Sequence, residues 1–229
     1  MGTSRRSELI RHTFRALLKA GLLLAAPLTA HAQLSAYPER VDAYDPREVA
    51  ALPPYCKHTQ LFRDKVPGGD NPAQIERWSR MLGPTFLHLH HYCWGLMWTN
   101  RARFMVGERR LLGSYLQNSI QEFDYVAERA PASFVLLPEI LTKKGENLIR
   151  LEKGPLGALD LERAIGLKPD YWPPYAALSD YYREAGDLVR ARQVLNDGLA
   201  KSPGAKPLRS RLAELDKEGK TKGRRTGAK

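Results

Sequence analysis

The residues best equipped for chemistry stand in two short runs, Cys56-Lys57-His58 and His88-Leu89-His90-His91-Tyr92-Cys93. Together these hold both cysteines and four of the six histidines of the chain. Thiolate and imidazole are ligands for zinc and for haem iron. On a helix, His88 and His91 would share a face while His90 points elsewhere. One reading is therefore a metal- or haem-binding protein that uses Cys56, His58, His88, His91 and Cys93. The spacing matches no standard ligand motif: there is no Cys-x-x-Cys, no His-Glu-x-x-His and no Cys-x-x-Cys-His. A disulfide between Cys56 and Cys93 accounts for the same thiols, and on that reading no metal or cofactor is expected. The two cysteines are 37 residues apart, and closing such a loop stabilises by roughly 3–4 kcal/mol in the chain-entropy account.

Catalytic motifs are missing as well. The chain has no glycine-rich phosphate loop and no Gly-x-Ser-x-Gly nucleophile elbow. Asp42, Asp45 and Asp124 have no spacing that fixes them around His91. A non-catalytic protein is expected, with an envelope enzyme as the remaining alternative.

The formal net charge of +11 is unevenly placed. Arg5, Arg6, Arg11, Arg15 and Lys19 make the first 32 residues basic, and six Lys or Arg make the last 14 basic. The stretch between them is close to balanced, which argues against a nucleic-acid footprint. The basic start is followed by the apolar run Ala20-Gly21-Leu22-Leu23-Leu24-Ala25-Ala26 and by Ala30-His31-Ala32. That order predicts a secretory signal peptide over 1–32, cleaved before Gln33. The apolar run is well short of the ~20 residues that span a bilayer. The mature chain is thus expected to be exported without a transmembrane segment, into the periplasm if the source is Gram-negative. Export favours the disulfide, because oxidising compartments keep cysteines paired.

The elements that position these residues read as helices punctuated by Gly and Pro. A Pro-rich segment covers 33–70. Helices are predicted over 71–82, 86–102, about 110–130, 134–152, 155–167, 172–185, 188–201 and 207–217. The helical domain ends at 218, and the tail 219–229, with Gly219, Gly223 and Gly227, reads as disordered. The fold class is all-α.

A fixed period runs through the helical domain. Lys168-Pro169 and Ser202-Pro203 each close a helical pair, and Gly186-Asp187 turns between the two helices of the last pair. With Tyr175, Leu178, Tyr182, Ala191, Leu195, Gly198 and Pro203 in register, residues 172–205 resemble the tetratricopeptide repeat. The unit before it, 138–171, is similar through Gly145, Leu148, Leu161, Ala164 and Pro169, but has Lys144 where Leu is usual and Gly157 where Ala is. A third unit at about 85–131 matches in outline through Gly95, Phe123 and Pro131.

The resemblance implies a short α-solenoid of about three helical hairpins. The 33–70 segment and helix 71–82 would close one end, and helix 207–217 would cap the other. It also implies a concave groove lined by the first helix of each hairpin. By register that groove takes Glu139, Thr142, Glu146, Ile149 and Arg150 from one unit, and Pro173, Ala176, Asp180, Arg183 and Glu184 from the next. Glu146 and Asp180 would repel a carboxylate, so the expected occupant is a protein or peptide segment of basic or mixed charge. The implied role is a binding adaptor or assembly scaffold. Tyr171, Trp172 and Tyr181 are candidate anchors, whereas Tyr175, Tyr182, Trp94 and Trp98 are expected in the core.

Overall fold

The computed structural model describes residues 44–104 and 107–226, with side chains described through Glu218. The proposed signal peptide and its cleavage point lie outside these residues. Every regular element described is helical, and among the described residues no helix is long and apolar enough to cross a membrane.

The described part of the Pro-rich segment, 44–70, is held by caps and tethers rather than by a long apolar stripe. Helix α1 (Pro46–Ala50) starts at Asp45, whose carboxylate accepts the Arg47 N–H at 2.8 Å. A proline sits in its first turn, where its missing N–H costs nothing. A short 3-10 turn, Cys56–His58, then meets the rest of the protein through the Cys56–Cys93 disulfide, with a Cα–Cα distance of 5.7 Å. The buried His58 ring holds the turn from behind, its Nδ1 lying 2.7 Å from the Gly69 carbonyl. The Arg101 guanidinium adds a second tether by donating to both Glu48 carboxylate oxygens at 2.5 and 2.7 Å.

Helix α2 (Pro72–Leu82) is capped by Asn71, which accepts from the Gln74 N–H. It stops at Gly83, whose φ of +64° suits glycine. The sequence predicts helix from residue 86; instead a 3-10 stretch, Gly83–His88, leads into α3 (Leu89–Arg103). Pro84 lies in that stretch and cannot donate an N–H to it. Then follow α4 (Arg109–Arg129), α5 (Leu137–Arg150), α6 (Gly154–Leu167), α7 (Pro173–Glu184), α8 (Leu188–Lys201) and α9 (Lys206–Thr226). Helix α9 runs past residue 218, where the sequence reading ends the helical domain and begins a disordered tail.

From α3 onward each helix packs on the next in chain order, giving the hairpins α3/α4, α5/α6 and α7/α8 with α9 against the last. A small residue in the first helix lets its partner approach in each hairpin. A Cβ on Gly95 would lie 2.3 Å from the Phe123 ring. Gly145 and Gly157 face each other: a Cβ on either would come within 2.8 Å of the other's carbonyl oxygen. At the matching place in α7, the Ser179 hydroxyl donates to the Ala191 carbonyl at 3.0 Å.

The main core gathers Phe62, Leu89, Tyr92, Phe123, Leu137, Ile140 and Leu141 around the disulfide, and a smaller one joins Tyr175, Leu195, Leu208 and Leu215. Full burial of each large apolar side chain contributes roughly 1.5–3 kcal/mol. Tyr175 is core as expected from its register, whereas Tyr182, Trp94 and Trp98 are only partly buried. Lys144, the residue that breaks the apolar register of α5, pairs instead with Asp124 on α4 at 2.5 Å and Asp160 on α6 at 3.1 Å.

Candidate functional site

The Cys/His runs fold into a structural knot. Both cysteine sulfurs are spent in the disulfide, so neither is a thiolate ligand as the metal or haem reading of these runs had it. Among the described residues no group of three or more His, Cys, Asp or Glu is placed to hold a metal ion.

The histidines of α3 and its approach go to separate tasks. His91 Nδ1 lies 2.6 Å from Glu122, and its ring stacks on Tyr125 at 3.7 Å between centroids. His88 meets the edge of the same Tyr125 ring. His90 is buried against Trp94 with its Nδ1 unpartnered. Burial first, and the neighbouring His91 second, push its pKa down to about 4, so it is neutral near pH 7.

A concavity among the described residues lies elsewhere. A cavity of about 720 Å3 runs along the first helices of successive hairpins. Helix α3 contributes Thr99 and Arg103, one face of α5 contributes Lys143, Glu146, Asn147, Ile149 and Arg150, and α7 with its leading turn contributes a face that includes Tyr171, Trp172, Asp180, Tyr181 and Glu184. Arg211 of α9 closes one side.

Of the ten positions taken by register, Glu146, Ile149, Arg150, Pro173, Ala176, Asp180 and Glu184 line this cavity. The other three do not. Thr142 is fully buried and donates back to the Pro138 carbonyl, a helical residue turned to the core. Arg183 reaches instead to Glu214 and Glu218 of α9. Glu139 sits one turn beyond the cavity, accepting the Tyr92 hydroxyl at 2.7 Å. Ala176 is almost wholly buried, so it shapes the floor more than it offers contacts.

Sequence reasoning missed Arg103, Lys143, Asn147 and Arg211. Two of these were readable in retrospect: 139, 143, 146 and 150 climb one face of α5 at helical spacing, which places Lys143 on the stripe and Asn147 beside it. The contribution of α9 carried no local signal.

Two of the groove carboxylates are already neutralised. Lys143 pairs with Glu146 at 2.9 Å, and Arg211 holds Asp180 with two contacts near 3 Å. The repulsion of a carboxylate ligand expected from Glu146 and Asp180 is therefore largely cancelled within the protein. Among the described residues Arg150 donates to neutral acceptors, the Ala102 carbonyl at 3.4 Å and Asn147 Oδ1 at 3.5 Å, with the Glu146 carboxylate acting on it through space. Partial burial, and then the like charge of Arg103, hold its pKa below the usual guanidinium range.

The floor beneath is a closed polar network. Asn147 Nδ2 donates to Thr99 Oγ1 at 2.7 Å and to Ser119 Oγ at 2.9 Å. Both hydroxyls donate in turn to the Gly95 carbonyl. The arrangement fixes α3, α4 and α5 together under the groove, and it offers an extended ligand aromatic, charged and hydrogen-bonding surface. No family model and no curated protein matches the chain.

Proposed function

We propose that this chain is an exported, non-catalytic adaptor of the tetratricopeptide-repeat kind, which grips a segment of a partner protein in the groove over α3, α5 and α7. The single observation that carries this reading is the cavity of about 720 Å3 built from the first helices of three consecutive hairpins. Stacked helical hairpins commonly present such a concave face as a binding surface. Its lining mixes Tyr171, Trp172 and Tyr181 with charges of both signs, the composition that interface anchors favour. The repeat register supports the same reading through the small residues at Gly95, Gly145 and Ser179. Export to an oxidising compartment such as the periplasm fits the disulfide and the basic, then apolar, start of the chain.

The test is site-specific photocrosslinking in cells, with the crosslinker placed at Ala177 or Ile149 in the groove and at Leu159 or Val189 outside it. The expected outcome is one partner captured from the groove positions alone, with the crosslinks mapping to one short segment. A synthetic peptide of that segment should then bind the purified protein. Equal capture from both sets of positions, or none from either, overturns the proposal.

A further inference from the structure

A second cavity, of about 530 Å3, opens in the segment ahead of α2 and shares no lining residue with the groove. Helix α1 supplies one wall through Pro46, Val49 and Ala50, residues 52–54 with Lys57 a second, and residues 65–67 a third, with Tyr44 beside them. These walls are fixed from outside the cavity. Glu48 ties α1 to Arg101, and the turn at Lys57 is held by the neighbouring disulfide and by His58 on the Gly69 carbonyl at 2.7 Å. The Tyr44 ring stacks on Phe62 at 4.4 Å between centroids, and its hydroxyl accepts the Trp94 N–H at 3.0 Å. The cavity is therefore preformed, and its volume falls in the range of small-ligand sites.

The lining chemistry selects the ligand. Apart from Tyr44 and two lysines, every lining residue is apolar. Pro46, Pro53, Pro54 and Pro67 have no N–H to offer. The N–H groups of Val49, Leu52, Lys65 and Val66 donate to carbonyls of the same segment. A peptide bound here would leave its own backbone groups unpaired, a cost that an aliphatic chain does not carry. The charge of the lining has one sign, from Lys57 and Lys65, and among the described residues no carboxylate lines the cavity. The nearby carboxylates Asp45, Glu48 and Asp64 each pair with an arginine, Arg47, Arg101 and Arg63. Lysine stems cover apolar surface while their ammonium groups stay in water, which puts the positive charge at the mouth. We propose that this cavity binds a small amphiphilic acid, with its acyl chain inside and its carboxylate at Lys57 and Lys65.

The probes are straight-chain saturated carboxylates of increasing length, used below their micelle concentrations, with the alcohol of each length as the uncharged counterpart. Binding to the purified, disulfide-intact protein is read by isothermal titration calorimetry. One site is expected, with affinity rising about fourfold per added methylene until the cavity is full and level beyond that. The carboxylate should bind about threefold to fivefold tighter than its alcohol at low salt. In Lys57→Gln/Lys65→Gln that preference should vanish while the gain per methylene persists. Ala50 is exposed and lines the cavity, so Ala50→Phe should leave the fold intact, read by circular dichroism, and stop the gain at a shorter chain. A fold-only role for these residues moves neither the charge preference nor the chain-length limit. No binding by any acid overturns the proposal, as does a length limit unchanged in Ala50→Phe or a charge preference that survives loss of both lysines. Binding to vesicles of anionic phospholipid without binding of the monomeric acids also overturns it, in favour of a membrane contact.

Discussion

Replacing Asn147 by Leu tests whether the polar floor of the groove is a closed network or three separate contacts. Asn147 is about 1% exposed and supplies two N–H donors, one to Thr99 and one to Ser119. Leu has the same branched heavy-atom skeleton with bulkier methyls, so no cavity forms and the loss is mainly two hydrogen bonds, with a modest packing cost. At about 1 kcal/mol each, with some further cost for two oxygens left facing an apolar group, the expected loss is about 2–3 kcal/mol. For a chain of this size that is a fall of roughly 5–10 °C in Tm.

The sharper expectation concerns the triple variant T99V/S119A/N147L. It replaces every member by an apolar group of similar shape, and such wholesale replacement is nearly neutral where single removal is costly. The triple variant should therefore be more stable than N147L alone. Urea unfolding of the wild type, the three single variants and the triple variant, monitored by far-UV circular dichroism, measures each difference. If the three single losses simply add in the triple variant, the network account is wrong.

Three further outcomes follow from the same coordinates. Replacing both Cys56 and Cys93 by Ala should cost about 3–4 kcal/mol. It should also expose the segment before α2 to limited proteolysis, while the wild type shows no free thiol under denaturing, non-reducing conditions. His90 titrates at about 4 when folded and near 6.5 when unfolded. The unfolded chain therefore takes up the proton first, and stability falls as pH drops from about 6.5 to about 4, by on the order of 2–3 kcal/mol. His90→Phe should flatten that part of the pH–stability curve, and an unchanged slope would remove His90 as its cause. Gly157→Val would push a side chain into the Gly145 carbonyl, so a loss above about 2 kcal/mol is expected from strain and separation of α5 from α6; a neutral result would show that the two helices can part freely.

Much of the helical layout was legible in the sequence because its causes are local. Asn71-Pro72 starts α2 through a cap and a first-turn proline, and Gly186-Asp187 turns α7 into α8, with Asp187 accepting the Arg190 N–H. The places where the reading departs from the structure also have local explanations. Gly83-Pro84 forces a tight 3-10 stretch before α3, and α9 continues past residue 218. Lys144 looked like a defect in the repeat, since only the fold shows Asp124 and Asp160 converging on it from two other helices.

The candidate groove was legible only along single helices. Register predicts which residues of α5 share a face, but it does not predict that Thr142 turns inward or that Arg211 crosses from α9 to neutralise Asp180. Periodicity and capping are decided within a few residues, so the sequence by itself determined the helices, their breaks and the small residues that let them pack. Charge balance across the groove and the Thr99–Ser119–Asn147 floor join residues from separate helices. Their existence depends on how those helices cross, and only the tertiary structure decided that.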